Sequence, residues 1–221
     1  AVIAEAGFKK VDLLGRLPHF DVDPEMCDHK GLKATAEAYG LQIANLGTYL
    51  GRGFASPERA EQERALREIR QGIDVAVFLG ARSIRLHFGD GDDPRYMDQL
   101  VPWLQRCAAY AADKGVYLGV ENHGKPLSGS PTAFKALVER VASPFFGLLY
   151  DPCNFASAGE DYRAALEMLK DCVVHVHVKD GETTPQGFQY TMLGEGDLDF
   201  VWIVEQLDAQ GYEGDLALEY E

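Results

Sequence analysis

Short runs of alternating apolar and polar residues recur along the chain, separated by longer stretches with a helical period. KKVDLLG from Lys9, GLQIANLG from Gly40, RSIRLHFG from Arg82, GVYLGVENH from Gly115, FFGLLYD from Phe145, VVHVHVKD from Val173 and DLALEYE from Asp215 are the seven predicted strands. A glycine usually precedes them, where it can close the helix before. Ser56-Pro57-Glu58 sets a capping serine, a first-turn proline and an acid at the head of a long helix towards Leu79, and Ser130-Pro131 repeats the device before Ala142. Strand and helix in alternation predict an α/β fold with a helix-covered parallel sheet. No composition shift or Pro/Ser-rich linker divides the chain, so residues 1–221 are expected to form a single domain.

Seven strands are one short of a closed (β/α)8 TIM barrel. AVIAEAG reads as the last turns of a helix capped by Gly7, with no strand ahead of it. The expectation is a barrel lacking its first strand and most of its first helix, about 20 to 30 residues by the usual size of a βα unit. Such a chain is either trimmed or manages an open edge, and unpaired edges invite association into a homo-oligomer.

Alternate residues of a strand face opposite sides. Ile84, Leu86 and Phe88 oppose Arg85 and His87; Val116, Leu118 and Val120 oppose Tyr117, Gly119, Glu121 and His123; Phe146, Leu148 and Tyr150 oppose Gly147, Leu149 and Asp151. Val174, Val176 and Val178 oppose Val173, His175, His177 and Lys179, and Leu216, Leu218 and Tyr220 oppose Ala217, Glu219 and Glu221. The apolar sets are expected to pack on helices. The others would point into a barrel, with their charged members near the C-terminal strand ends where barrel active sites are built. Any one strand-end acid is as readily a solvated residue at the barrel mouth. Glu121, Asp151, His177 and Glu219 at matching parity point instead to a metal site, because three adjacent carboxylates repel one another without a cation. Three carboxylates and an imidazole suit one divalent ion, Mn²⁺ or Mg²⁺, with Co²⁺ or Zn²⁺ as further options.

Charge narrows the partners. Thirty-five acidic residues against 21 basic ones leave a net charge of −14, which repels nucleic-acid backbones and anionic membranes. Cys27, Cys107, Cys153 and Cys172 are widely spaced with no CxxC pair, and no apolar run reaches the roughly 20 residues of a membrane span. A cytoplasmic setting and a small-molecule substrate are expected.

ENHG at Glu121, DPCN at Asp151, HVHVKD at His175, GEGDLDF at Gly194 and GYEGDLALEYE at Gly211 resemble, in order and spacing, the successive signatures of the sugar isomerase and epimerase superfamily with a xylose-isomerase-like TIM barrel. GFKKVDL at Gly7 is similar to that family's second strand, so the resemblance covers nearly the whole chain. It implies a metal held by Glu121, Asp151, His177 and Glu219, with Glu121 and Glu219 as catalytic base and acid. The implied reaction removes a proton next to a metal-bound carbonyl through an enediolate, on a small keto sugar or polyol-derived carbohydrate. Returning the proton isomerises or epimerises; expelling a β-hydroxyl makes the same site a dehydratase.

His87, His123, Asn154 and Lys179 are candidate substrate contacts, each also readable as loop or strand-end filler. Asn154 stands where some family members that epimerise free sugars carry a histidine. His175, two residues deeper than His177, reads as a hydrogen-bonded core histidine, and Arg85 as a buried charge paired with an inward acid such as Asp12. GEGDLDF reads mainly as a loop with Asp197 or Asp199 capping the final helix up to Ala209. Two other readings have less support: an endonuclease-type hydrolase, which would need more histidines at the mouth and a basic surface, and a non-catalytic binding module.

Overall fold

All seven predicted strands form, and all seven join one parallel sheet. The structure is a computed structural model that describes residues 1–219; Tyr220 and Glu221, the last alternation positions assigned to the final strand, lie outside the described residues. In chain order the elements are α1 (Val2–Glu5), β1 (Lys10–Leu14), α2 (His29–Ala38), β2 (Gln42–Leu50), α3 (Arg59–Leu79), β3 (Ser83–Leu86), α4 (Met97–Lys114), β4 (Tyr117–Glu121), α5 (Pro131–Val141), β5 (Phe146–Tyr150), α6 (Pro152–Ser157), α7 (Tyr162–Leu169), β6 (Val173–Val178), β7 (Asp180–Thr184), β8 (Gly187–Thr191), α8 (Phe200–Ala209) and β9 (Leu216–Leu218). The sheet runs β1-β2-β3-β4-β5-β6-β9 with parallel neighbours throughout. It curls into a nearly closed TIM barrel, so that Asp12 on β1 meets His175 on β6 at 2.7 Å.

β1 and β9 are the two edges, one strand short of closure. Lys10 Nζ reaches Asp215 Oδ1 at 2.6 Å across the gap, and a cleft of about 540 Å³ between them is lined by Ile3, Phe8, Val11, Asp12, Leu216 and Leu218. The outward apolar sets of β3, β4 and β5 are buried as the alternation predicts: Ile84, Leu86, Leu118, Val120, Phe146, Leu148 and Tyr150. Each such side chain contributes about 1.5–3 kcal/mol by leaving water. The last strand departs from the expectation. Leu216 and Leu218 stay exposed, because β9 is an edge whose flank opens onto the cleft.

Helix boundaries follow local capping chemistry. Ser130 caps α5 by accepting the Ala133 N–H, with Pro131 in the first turn. Ser56 does not cap α3. Its hydroxyl accepts the Glu58 N–H at 3.1 Å, closing a turn ahead of the helix, which begins at Arg59. Asp199, of the two aspartates considered, caps α8 by accepting from Trp202 N.

The antiparallel hairpin β7–β8 is not among the predicted strands: Phe188 and Tyr190 share one face of β8, but β7 offers no large apolar side chain to complete an alternating pattern. Asp180 anchors it. Its carboxylate accepts N–H bonds from Gly181, Gly194, Gly196 and Leu198, which draws GEGDLDF against the hairpin. A side chain at Gly196 would collide with that carboxylate. Among the described residues no helix is long and apolar enough to cross a membrane.

Candidate metal centre

Glu121 ends β4, Asp151 follows β5, His177 is the penultimate residue of β6 and Glu219 follows β9. Parallel strands place all four at one end of the barrel. One ligand atom from each lies within 4.8 Å of the others; Glu121, Asp151 and His177 are buried and Glu219 is partly so. His177 Nδ1 stands 2.9 Å from Glu121 Oε1 and 3.1 Å from Glu219 Oε2. Asp151 divides its oxygens: Oδ1 caps α6 by accepting the Asn154 N–H at 2.9 Å, and Oδ2 faces the cluster. Asp151 Oδ2 and Glu219 Oε2 are buried, and their close polar contacts are with Lys179 and His177 of the cluster itself. Lys179 Nζ lies 3.1 Å from the first and 3.6 Å from the second.

The charges are strongly interdependent. Burial would raise the Glu121 carboxyl, but the hydrogen bond and charge of His177, with Arg85 behind, hold it below the usual carboxylate range. Glu219 is likewise lowered, its burial outweighed mainly by the bond to His177. Asp151 goes the other way: burial pushes it up to about 6 against the pull of Lys179. His177 is raised well above 6.5, because hydrogen bonds to Asp12, Glu121 and Glu219 outweigh its burial. Without a metal, the protonated imidazole balances the carboxylates; a divalent ion needs the neutral ring and displaces that proton. Two buried carboxylate oxygens facing an imidazole nitrogen and a further carboxylate fit a hard divalent cation of the Mn²⁺ or Mg²⁺ kind.

Arg85 does not pair with Asp12. Its Nη1 donates to Glu121 Oε2 at 2.6 Å, while Nη2 and Nε reach the carbonyls of Gly47 and Thr48. Register explains the choice: Arg85 lies opposite Gly119 on adjacent β4, two residues before Glu121, whereas Asp12 is two strands away. Asp12 is met instead by His175, buried as expected of a hydrogen-bonded histidine. Lys179 is buried rather than solvated, and so is Asn154, whose Nδ2 has no hydrogen-bond partner.

His123 is partly exposed, with Nε2 3.5 Å from Glu121 Oε2, and its ring meets His87 edge-on at 5.9 Å. Tyr49, overlooked because β2 runs three residues past the predicted end, completes this wall; its ring carries the Arg85 guanidinium at 4.6 Å and lies 5.6 Å from His87. The signal was the strand-favouring pair Thr48-Tyr49 directly after the predicted end.

His87 accepts the Gly89 N–H at Nδ1, which leaves the proton of the neutral ring on Nε2. Burial, with the charges of Arg52, His123 and Arg85, lowers it from 6.5 to about 4. Between those values the unfolded chain binds a proton that the folded one does not, so this ring makes stability rise with pH there. Urea denaturation at pH 7 and pH 4.5 should show wild type losing more stability on acidification than His87→Phe. The comparison cancels the carboxylate titrations, and equal losses would contradict it.

The profile of the xylose isomerase-like TIM barrel family matches residues 1–221. A putative L-ribulose-5-phosphate 3-epimerase of Escherichia coli is 32% identical over 75% of this chain and 61% of its own length, so the match spans less than two thirds of that relative. A putative hydroxypyruvate isomerase of Streptomyces coelicolor is 31% identical over 100% of this chain and 83% of its own. Inosose dehydratases also match, at 25 to 30% identity. A Mycobacterium smegmatis protein solved in complex with magnesium superimposes with a TM-score of 0.80 at 18% identity, over 99% of this chain and 79% of that one.

Proposed function

Because the chain belongs to the xylose isomerase-like TIM barrel family, we propose that it is a divalent-metal-dependent isomerase or epimerase of a small keto sugar or polyol-derived substrate, with residues 1–221 working as a single domain. The observation that carries this reading is the convergence of Glu121, Asp151, His177 and Glu219 within 4.8 Å at the C-terminal strand ends. The magnesium bound by the M. smegmatis protein supports the choice of a hard cation.

A divalent ion, when bound, polarises the substrate carbonyl and its neighbouring hydroxyl and stabilises negative charge on oxygen. Glu121 and Glu219, both held ionised, are the groups that take a proton from the adjacent carbon and return it. Return to the neighbouring carbon isomerises; return to the opposite face epimerises. Glu121 is the fixed member, gripped by Arg85 and His177, and Glu219 the more accessible one. His87 donates from Nε2 to a substrate oxygen while remaining neutral. His123 and Asn154 contact substrate from the same rim, and Lys179 balances the charge of Asp151 and Glu219.

A dehydratase is the second reading, favoured by inosose dehydratases that match over 99% of the chain. It shares the proton abstraction and then expels a β-hydroxyl.

The test is calorimetric titration with Mn²⁺ followed by incubation of the loaded protein with a panel of keto sugars in D₂O. About one ion per chain is expected, with deuterium entering next to the carbonyl of the substrate. Recovery of the sugar skeleton marks an isomerase or epimerase, and loss of water marks the dehydratase. A protein that takes up no ion after Mn²⁺ addition would remove the proposal.

A further inference from the structure

Asp12, at an inward position of β1, gathers donors from two other strands. Its Oδ2 lies 2.7 Å from His175 Nε2 and 3.4 Å from His177 Nε2, both on β6, and accepts from Asn45 Nδ2 on β2 at 3.1 Å. Asn45 is held from β3 by Ser83, whose hydroxyl donates to Asn45 Oδ1 at 2.9 Å. Asn45, Ser83 and His175 are all buried. His177 thus has two occupied faces, with Nδ1 turned to Glu121 and Glu219 and Nε2 turned to Asp12. A neutral imidazole keeps its proton on one nitrogen only. When a cation takes the Nδ1 lone pair on the side of the four-residue cluster, the ring's one proton lies on Nε2, and Asp12 is the acceptor placed to receive it.

We propose that Asp12 is the positioning residue for His177. Its carboxylate orients the ring and sets its tautomer so that Nδ1 is presented to a divalent ion, while His175 and Asn45 keep the carboxylate in place. This rests on the metal-centre reading above. A carboxylate behind a ligating imidazole raises the ligand's basicity and locks its orientation, and removing such a partner weakens metal binding by about 10- to 100-fold. The same three residues, Asp12, His175 and His177, also bring ligand atoms within 4.8 Å. A second ion there would need His177 Nε2 while the first takes Nδ1, forcing one ring to bridge two cations. The 2.7 Å contact of His175 with Asp12 is an ordinary charge-assisted hydrogen-bond distance, and we assign the group to hydrogen bonding.

Calorimetric Mn²⁺ titration of wild type, Asp12→Asn and Asp12→Ala tests this, with circular dichroism to check folding. Wild type is expected to bind one ion. Asp12→Asn keeps the shape and an acceptor but loses the charge, and its Kd should rise about tenfold; in Asp12→Ala the rise should approach about 100-fold. A second measurement needs no variant: long-range ¹H–¹⁵N spectra of the Mg²⁺-loaded wild type should show His177 protonated at Nε2 and not at Nδ1. An Asp12→Asn Kd within twofold of wild type, two ions bound by wild type with one lost in Asp12→Asn, or His177 protonated at Nδ1 would each overturn the proposal. If wild type binds no ion at all, the metal-centre reading itself has failed, an outcome separate from an unchanged Kd in the variant.

Discussion

Glu219→Gln should lower turnover by about 10³-fold or more while leaving the fold intact. The amide has the carboxylate's shape but accepts no proton at neutral pH, and general acid–base contributions of about 10²–10⁴ are lost with such groups. Glu219 is the cleaner of the two glutamates to change. It is partly exposed, and its neighbours His177 and Lys179 retain other carboxylates, Glu121 and Asp151 respectively. Glu121→Gln would instead disturb the buried pair with Arg85. Steady-state rates with the substrate found by deuterium exchange, beside circular dichroism and thermal melting, check the expectation. Near-wild-type turnover in a folded Glu219→Gln protein would remove Glu219 from the proton path.

The second large effect is on stability. Arg85→Met should destabilise the metal-free protein by about 3 kcal/mol, the low end of the usual cost of removing one partner of a buried ion pair, because His177 stays bonded to Glu121. The guanidinium and the Glu121 carboxylate are 6% and 3% exposed, so solvent cannot replace the lost partner. Two backbone carbonyls, of Gly47 and Thr48, lose donors as well. The pH dependence has a defined sign. The lowered Glu121 carboxyl contributes stability that is present above its ordinary value of 4.5 and is lost as pH falls through the folded-state value. Removing Arg85 takes away part of what lowers it, so the penalty should be largest near neutrality and shrink in acid. Urea midpoints at pH 7 and pH 4 measure this, and Arg85→Met/Glu121→Leu should recover part of the loss. A penalty below about 1 kcal/mol at pH 7 would show that the pair does not support the fold.

Much of the frame was legible because strand geometry is local. A period of two assigns each residue of VVHVHVKD or GVYLGVENH to one side of its strand, and parallel topology collects the C-terminal ends on one face. That is why Glu121, Asp151, His177 and Glu219 emerge from the pattern and are found together. Capping chemistry is equally local where one side chain meets the next turn, as at Ser130 and Asp199. It misled at Ser56, whose hydroxyl had a nearer amide available.

What alternation cannot carry is position around the barrel. Parity says that Arg85 and Asp12 both point inward, but adjacency of β3 and β4 gives Arg85 to Glu121, and the approach of β1 to β6 gives Asp12 to the histidines. The hairpin β7–β8 was hidden because β7 has no large apolar side chain and β8 has only the pair Phe188 and Tyr190, too short a pattern to mark a strand. The exposure of Leu216 and Leu218 follows from β9 being an edge, and the burial of Lys179 from carboxylates on two other strands. By itself, then, the sequence determined the seven strands of the parallel sheet, the side each of their residues takes and the identity of the four candidate ligands. Only the tertiary structure decided who pairs with whom and which nitrogen of His177 faces the cluster, because those depend on distances between residues far apart in the chain.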